Sequence, residues 1–380
     1  MSVNKTFRIG FDARLAGKKH AGIGRYSENL ILKLIELAAK NNQVKVKFVI
    51  FFFDTEQAKE VLSQFFNHPN VEVVITNIKH YGLQEQLVLP KFYKKAQLDL
   101  LYVPHWNVPI FYRGKLIVTI HDLLWHEQKG TQATTLKAWQ YFVKYLVYKY
   151  VSKQAAKKAE VIFVPTETIK KTVIHYYPFA KNKIIVSKEG IASKYQNALN
   201  HQPTLQPRIK KQLIYTGSLY PHKNIAVVIK SLKKLPKYQL LIASSRSIFQ
   251  DQIQTLVAHY KVKKQVIFLG FVPDEKLITL YQQSMALVQP SLSEGFGLTG
   301  IEAMASQIPV LASDIEVFRE IYQDAAFFFD PNSSASFIKA LENLESANRK
   351  EVIKRGVQVA SQYSFDKMAK DIWSQFLKQL

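Results

Sequence analysis

The feature that most constrains the fold is an alternation of short apolar runs with longer amphipathic stretches, which occurs twice along the 380 residues. The runs are rich in β-branched and aromatic residues, as strands are. In the first half they are Phe7–Phe11, Val46–Phe53, Val71–Ile75, Leu98–Val103, Leu116–Ile120, Val161–Val164 and Ile184–Val186. In the second half they are Gln212–Thr216, Gln239–Ala243, Val266–Leu269, Ala286–Gln289, Val310–Ala312 and Ala326–Phe329.

Helical patterns separate these runs, as in parallel sheets that carry helices on both faces. The predicted helices are Ile23–Ala39, Thr55–Phe66, Thr134–Ala159, Ile225–Leu232, Phe249–His259, Glu275–Ser284, Gly300–Ala305 and Ser334–Glu345. The sequence therefore predicts an α/β protein with two Rossmann-like, doubly wound domains.

The boundary between the two domains is predicted near residue 200. The segment Gln196–Lys211 lacks periodicity and contains Pro203 and Pro207, which is typical of a linker. We therefore predict an N-terminal domain of residues 1–200, a C-terminal domain of residues 201–362 and a final helix within residues 363–380. In opposed domains of this kind, ligands bind at the carboxyl ends of the strands, so the active site is expected in the interdomain cleft.

Composition narrows the setting in which the chain works. It has no cysteine, which excludes disulfides and thiolate chemistry. The N-terminus lacks the apolar core of a signal peptide, and the apolar runs are of strand length rather than membrane-spanning length. We expect a cytoplasmic protein, with peripheral contact to the inner face of a membrane left open.

The net charge of +23 favours an anionic partner. A phosphorylated substrate, an anionic membrane and nucleic acid all fit, as does a lysine-rich surface that is simply solvated. No nucleic-acid recognition motif is present, so nucleic acid is not expected. The basic and aromatic segment Lys137–Lys158 suits an anionic membrane or a lipid-linked acceptor. A buried helix with lysines extending to solvent is the alternative.

A glycine-rich loop follows the strand-like run Ala286–Gln289. Gly295 and Gly297 allow a ligand to approach the backbone, and the amides after Gly297 would lie at the next helix N-terminus, which suits a phosphate. Glu294 on the loop and Glu302 in the first helical turn would flank this phosphate niche. An ordinary strand-to-helix turn, with Glu302 at the positive end of the helix dipole, is the alternative.

A lysine ends the loop after the first strand of the second half. Lys223 precedes a helix and could neutralise a diphosphate leaving group. A plain surface charge is the alternative for this residue, and Asn224 beside it could cap the helix.

The first half carries its own candidate residues at strand and helix ends. Gly22 and Gly24 open the first helix, where their amides could reach an anion. The third glycine of a dinucleotide fingerprint is missing, so NAD is not predicted. His121 ends a strand, which places it at the edge of the sheet where ligands bind. A structural histidine is the alternative.

Together these motifs resemble the retaining glycosyltransferases of family 4, which have the GT-B fold. The resemblance runs nearly from end to end. It includes IGFDAR (9–14), GIGRY (22–26), VTIHDL (118–123), YTGSLYPHKN (215–224), FLGFVPDEKLITLY (268–281), PSLSEGFGLTGIEAMA (290–305), PVLASDIEVFREIYQDAA (309–326) and YSFDKMAKDIW (363–373). The last motif resembles the helix that crosses back onto the N-terminal domain in this family.

The resemblance implies a role for each matching residue. Glu294, His121 and Lys223 would be the catalytic set: Glu294 would hold the donor sugar, Lys223 the diphosphate, and His121 would accept a hydroxyl hydrogen bond or support the acceptor. Glu302 would bind the ribose. The remaining donor-binding residues would be Gly22, Gly24, Arg25, Gly217, Ser218, His222, Val272, Gly295, Phe296, Gly297, Leu298 and Thr299.

One departure concerns the diphosphate. Many relatives have an arginine where this chain has Ser218 or His222, so Arg14, Arg25 or a protonated His222 would have to assist Lys223. No Asp-x-Asp motif stands where a metal-dependent transferase needs one, so Lys223 and helix amides are expected to replace a cation, and no cofactor is expected.

The implied reaction is transfer of a hexosyl unit, with retention of configuration, from GDP-mannose or a UDP-sugar to an unknown carbohydrate or lipid-linked acceptor. Cell-surface polysaccharide or glycolipid assembly is the expected setting. The alternatives are another GT-B enzyme, such as a sugar phosphorylase or an epimerase, and a polyanion-binding protein.

Overall fold

The computed structural model describes residues 5–127, 137–200, 209, 211–244 and 248–380. The chain divides into two compact units. The first contains the described residues up to Glu127, those from 137 to Gly190, and Ser364–Leu380; the second contains the described residues of Ile191–Tyr363. The predicted domain boundary at residue 200 lies ten residues beyond this division. Residues 201–208 and 210 of the predicted linker, and residues 134–136 of the third predicted helix, lie outside the described residues.

The first unit is built on a seven-stranded parallel sheet with the order β3-β2-β1-β4-β5-β6-β7. Its strands are β1 Thr6–Asp12, β2 Lys45–Phe52, β3 Val71–Ile75, β4 Leu100–Val103, β5 Leu116–Thr119, β6 Val161–Val164 and β7 Ile184–Val186. β1 pairs with both β2 and β4, so the order of strands reverses there. Loops that leave the carboxyl ends of β1 and β4 therefore border the crevice in which doubly wound sheets bind ligands.

Helices cover both faces of this sheet and bury apolar side chains in two cores. Those of the first unit are α1 Ala21–Lys40, α2 Thr55–Leu62, α3 Leu83–Leu87, α4 Leu89–Lys95, α5 Leu124–Glu127, α6 Ala138–Lys158, α7 Glu167–Tyr176 and, at the end of the chain, α16 Phe365–Gln379. α16 packs against α1 and buries Phe365, Ile372 and Phe376 in the core of this unit. A side chain at Gly190 would collide with the backbone of Phe365, so glycine permits the close approach where the chain returns.

The second unit has a six-stranded parallel sheet with the order β10-β9-β8-β11-β12-β13. Its strands are β8 Gln212–Thr216, β9 Gln239–Ala243, β10 Val266–Gly270, β11 Ala286–Gln289, β12 Val310–Ser313 and β13 Ala326–Phe329. Its helices are α8 Ser193–Asn200, α9 Ile225–Leu232, α10 Gln250–His259, α11 Asp274–Gln283, α12 Leu298–Ala305, α13 Glu316–Tyr322, α14 Ser334–Ser346 and α15 Arg349–Ala360. The order reverses between β8 and β11, which places a second ligand crevice there.

Every predicted strand is confirmed, whereas several helices differ. The prediction of a linker over Gln196–Asn200 is wrong, because these residues form the end of α8, a helix whose Tyr195 is buried. The helices α3, α4, α5, α7, α8, α13 and α15 were not predicted from the sequence. Four of these seven, namely α3, α4, α5 and α13, span two turns or fewer, which is too short to establish a helical period.

Within the described residues, no helix is long and apolar enough to cross a bilayer. The most extended helix of the first unit, α6, has 21 residues but carries five lysines, which fall at 144, 149, 153, 157 and 158.

Candidate active site

The candidate residues of the second unit lie on loops at its switch point. The loop after β8 contains Gly217, Ser218, His222 and Lys223, and the loop after the neighbouring β11 contains Glu294. The amide of Leu292 donates to the carbonyl of His222 at 2.7 Å, which ties the two loops together. Lys223 ends a 3-10 turn that begins at Pro221. The sheet therefore brings two distant segments of sequence to one position.

Glu294 and Lys223 form an ion pair in this position. The Lys223 Nζ donates to Glu294 Oε1 at 2.6 Å, and the Ser291 hydroxyl donates to the same oxygen at 2.7 Å. Burial raises the pKa of Glu294, but the charge and hydrogen bond of Lys223 outweigh burial and hold the pKa below its usual value. Among the described residues, Glu294 Oε2 accepts no hydrogen bond. An ionised carboxylate with one oxygen open can accept hydrogen bonds from hydroxyl groups.

A buried polar network shapes the loop between Glu294 and α12. The Tyr322 hydroxyl lies 2.6 Å from the Gly297 carbonyl and 2.5 Å from Gln289 Oε1. Gln289 Nε2 in turn donates to the Thr299 hydroxyl at 3.0 Å. Gly297 has φ +96°, and a side chain there or at Gly300 would collide with Tyr322. These two glycines are therefore required by packing against Tyr322, independently of any ligand.

α12 begins earlier than its predicted bounds. The left-handed Gly297 is the residue before the helix, and Leu298 is its first residue. Glu302 is consequently the fifth helical residue, which corrects its predicted position in the first turn. The Glu302 side chain is buried, so the alternative of an exposed carboxylate at the positive end of the helix dipole does not hold. The amides of Leu298 and Thr299 have no preceding helical carbonyl to bond, which suits an anion, whereas the Gly300 amide donates to the Gly297 carbonyl at 3.1 Å.

Other predicted donor-binding residues fall around the same sheet edge. Phe296 is buried and packs against Tyr363 with ring centroids 5.4 Å apart, so only its backbone could contact a ligand. Val272 follows β10 and is half-buried. The Asn224 side chain does not cap α9 as anticipated; it donates to the carbonyls of Pro290 and Pro331 at 3.1 and 2.8 Å. The half-buried residues Gly217, Ser218, His222, Gly295, Leu298 and Thr299 complete the set.

In the first unit, the predicted glycines open α1. A side chain at Gly24 would lie 2.0 Å from the Gly17 carbonyl oxygen, so Gly24 is needed for backbone packing. A side chain at Gly22 would have no atom within 4 Å. Gly22 is therefore the glycine that packing leaves unexplained. Arg25 follows in the same helical turn and is half-buried.

His121 lies at the end of β5 between two acceptors. Its Nδ1 is 2.8 Å from Glu189 Oε1, and its Nε2 is 3.1 Å from the Pro104 carbonyl. Burial lowers the pKa of His121, but Glu189 outweighs burial and leaves the pKa above its usual value. Both nitrogens face acceptors, so the ring is best satisfied as a cation that donates twice. This arrangement leaves no nitrogen to accept a hydroxyl hydrogen bond, contrary to the sequence-based expectation.

Arg14 is fully buried and already paired, which excludes the predicted phosphate role for this arginine. Its guanidinium contacts Asp12 Oδ2 at 2.7 Å and Glu85 Oε1 at 2.8 Å. The Tyr93 hydroxyl also donates to Asp12, at 2.9 Å. Burial raises the pKa of Asp12, but Arg14 reverses this and lowers it to about 2. Arg14 is thus an internal counter-ion that holds the loop after β1.

Sequence reasoning missed three residues that shape these sites. Glu189 precedes Gly190 in a segment without a helical or strand pattern, and only its acidic character after a strand could have drawn notice. Tyr26 stacks edge-on against His121 at 4.5 Å, and its position after Arg25 in GIGRY was the available signal. Tyr322 falls between two predicted strands, inside the motif PVLASDIEVFREIYQDAA (309–326), and this motif was the available signal.

Comparison with known proteins identifies relatives along most of the chain. A family described as "Glycosyl transferases group 1" matches residues 197–358, and one described as "Glycosyltransferase Family 4" matches residues 21–193. The chain is 27% identical over 359 residues to the O-antigen chain mannosyltransferase RfbU of Salmonella typhimurium, covering 93% of this chain and 94% of that protein. It is 26% identical over 370 residues to O-antigen chain mannosyltransferase B of Escherichia coli, covering 91% and 93%.

Solved structures share the fold. Sucrose-phosphate synthase from Thermosynechococcus elongatus superposes with a TM-score of 0.73 at 17% identity, over 98% of each chain. This likeness agrees with the GT-B fold that the sequence predicts.

Proposed function

Since the chain belongs to the group 1 glycosyltransferases and is itself a glycosyltransferase, we propose that it transfers a mannosyl unit from GDP-mannose to an acceptor hydroxyl in cell-surface polysaccharide assembly. The similarity to two O-antigen mannosyltransferases supports mannose over other hexoses. A UDP-sugar is the second donor to be tested. The acceptor is a carbohydrate or a lipid-linked carbohydrate.

The observation that carries the proposal is the Lys223–Glu294 pair beside the N-terminus of α12. A lysine ammonium has three N–H donors, and Glu294 takes one of them. Lys223 can therefore hold Glu294 and a phosphate oxygen at the same time. The open Oε2 of Glu294 would accept a hydrogen bond from a sugar hydroxyl, which would fix the orientation of the sugar relative to the diphosphate to which it is bonded.

In the proposed reaction the bond between the anomeric carbon and the diphosphate oxygen breaks. Negative charge develops on that oxygen, and Lys223 with the first amides of α12 stabilises it, as preorganised donors do at a developing anion. The acceptor hydroxyl forms the new bond and passes its proton to the departing phosphate oxygen. We propose that no metal is required, because lysine and amides supply the positive charge. Retention of configuration is proposed from the resemblance to the retaining family 4 enzymes.

His121 has a different part in this proposal from that of a base. Its two ring nitrogens already donate to Glu189 and to the Pro104 carbonyl, so it would act through its positive charge and not through a further hydrogen bond. Gly22 and Arg25 at the start of α1 are proposed as donor-binding residues on the basis of the family resemblance. Glu302 is proposed to bind the ribose.

A thermal-shift panel of GDP-mannose, UDP-glucose, dTDP-glucose and ADP-glucose, followed by turnover of the best donor, tests the function. We expect GDP-mannose to raise the melting temperature most and to be hydrolysed slowly without acceptor. Activity that survives chelator, and a product whose anomeric coupling in NMR matches the donor, would support the metal-free and retaining proposals. The proposal is contradicted if no sugar nucleotide shifts the melting temperature and none is turned over.

A further inference from the structure

α6 exposes an apolar stripe to solvent. Six of its large apolar side chains are between 51% and 67% exposed: Trp139, Phe142, Val143, Leu146, Val147 and Tyr150. Their spacing of three and four residues places them on one side of the helix. No other helix among the described residues exposes as many. Soluble proteins rarely leave such a contiguous apolar stripe uncovered, so it marks an interaction surface.

The opposite side of α6 is firmly anchored. Tyr148 is buried and lies 2.7 Å from His126 Nδ1, and Ser152 is buried and hydrogen-bonded to the Tyr177 hydroxyl at 2.8 Å. Ala155 and Ala156 are fully buried in the core of the unit. These contacts fix the rotation of α6 about its own axis, so the apolar stripe faces solvent.

Lysines accompany the stripe, and acidic residues are absent from it. Lys149, Lys153 and Lys157 are exposed, and their helical angles place them beside the apolar stripe and along its continuation towards the C-terminus. The whole of α6, residues 138–158, contains no aspartate or glutamate. Pairing of this face with a second copy of the chain would bring two basic helices together without counter-charges, which is unfavourable.

We propose that α6 docks on the surface of an anionic lipid bilayer. The helix, about 31 Å long, would lie in the plane of the interface with its apolar stripe among the upper acyl chains. Lys149, Lys153 and Lys157 would contact the anionic headgroups. Aromatic residues such as Trp139 and Tyr150 suit the boundary between headgroups and chains. This docking is independent of the proposed donor and reaction.

Co-sedimentation of the full chain with vesicles tests the docking without any activity measurement. We expect binding to phosphatidylcholine vesicles that contain phosphatidylglycerol, much weaker binding to pure phosphatidylcholine, and loss of binding at high salt. The triple variant K149Q/K153Q/K157Q should bind at least about tenfold more weakly, because each lysine near an anionic surface contributes. The triple variant K233Q/K234Q/K237Q removes the same charge from the second unit and should bind like the wild type.

The apolar stripe is tested by a second pair of variants. F142S/L146S should weaken vesicle binding while leaving the melting temperature unchanged, since both side chains are exposed. I248S/I267S removes two exposed apolar side chains from the second unit and should have no effect. The Trp139 fluorescence should shift to the blue on anionic vesicles, and W139F should abolish that shift.

Three results would overturn the proposal. The first is equal binding by wild type and K149Q/K153Q/K157Q, or no binding to anionic vesicles at low salt. The second is binding only when the vesicles contain a polyprenyl diphosphate, which would identify a lipid-linked ligand instead of the bilayer surface. The third is a concentration-dependent dimer in sedimentation velocity that F142S/L146S abolishes, which would identify a second copy as the occupant.

Discussion

At the scale of single residues, the account depends on which charged groups are already satisfied inside the protein. Arg14 has two carboxylate partners and no exposed surface, whereas Lys223 has one partner and is partly accessible. Sequence alone could not separate these two cations, because both follow a strand at the carboxyl edge of a sheet. Arg14 is removed from the candidate site only by its buried ion pairs with Asp12, two residues away, and with Glu85, far along the chain.

Replacement of Lys223 by methionine keeps the length of the side chain and removes its charge. We expect kcat/KM for the donor to fall by about 10²–10³-fold, the effect of removing one donor from a developing anion. Steady-state kinetics with the best donor provides the measurement. Lys230→Met, on the exposed side of α9, is the matched control and should behave like the wild type. Equal kinetics for both variants would show that Lys223 takes no part.

Asp12 should make the protein sensitive to acid. Its pKa is lowered to about 2 in the folded state, so its stabilisation is present above the ordinary value of 3.8 and disappears as the pH falls towards 2. The shift corresponds to about 2 kcal/mol of unfolding free energy. In urea unfolding between pH 5 and pH 2, the unfolding free energy of Asp12→Asn should fall less steeply with decreasing pH than that of the wild type. The control Asp251→Asn, at an exposed position on α10, should follow the wild type. Parallel pH profiles for Asp12→Asn and wild type would contradict this account.

His121 should change the stability with pH in the opposite direction to Asp12. Its folded pKa is raised, so the Glu189 pair stabilises the fold below the ordinary histidine value and loses that effect as pH rises through the folded value. NMR titration should show one histidine whose pKa falls in Glu189→Gln. The stability difference between wild type and this variant should be largest at mildly acidic pH and should shrink in alkaline solution. A histidine titration that Glu189→Gln leaves unchanged would contradict the pairing.

At the scale of elements, the strand pattern was predictable because each strand is a compact apolar run, and parallel strands are buried on both faces. The short helices α3 and α4 and the start of α12 were not, because they depend on tertiary contacts. Gly297 is forced into a left-handed conformation by packing under Tyr322, which sets the first residue of α12. The sequence indicated a ligand role for Gly297, yet it could not reveal this packing requirement.

Substitutions at the two glycines that open α1 distinguish a role in packing from a role in ligand binding. Gly24→Ala should destabilise the fold by about 1–3 kcal/mol, because its methyl group would meet the Gly17 carbonyl oxygen. Gly22→Ala has open space and should be neutral or stabilising by up to about 1 kcal/mol, as alanine is in a helix. Thermal unfolding measures both.

The same pair tests the donor contact. If the backbone at Gly22 approaches the donor, Gly22→Ala should weaken donor binding in calorimetry although its fold is intact. Unchanged donor affinity would remove Gly22 from the donor-binding set. Gly114→Ala is unsuitable as a control because it would collide with Tyr112.

At the scale of the whole molecule, the first unit is discontinuous in sequence. The chain leaves it at Gly190 and returns at Ser364, and α16 then supplies part of its core. The resemblance of the last motif predicted a returning helix, but its burial against α1 and its neighbour Gly190 are visible only in three dimensions. Glu189, the partner of His121, lies next to the glycine on which this return packs.

Replacement of Trp373 tests how much the stability of the first unit depends on α16. The side chain is buried and lies 6.2 Å from the Phe48 ring between centroids. Trp373→Ala should lower the unfolding free energy of the first unit by about 3–5 kcal/mol. Lys378→Ala, exposed on the same helix, should not. Scanning calorimetry that shows equal transitions for both variants would mean that α16 is dispensable for this core.

The most direct test of the central claim is isothermal calorimetry of GDP-mannose with the wild type and with Lys223→Met. The account predicts a measurable dissociation constant for the wild type, obtained without added metal, and at least about tenfold weaker binding for the variant, since a charge-assisted contact to phosphate is lost. Equal affinity of the two proteins for GDP-mannose, or binding that appears only with a divalent cation, would contradict it.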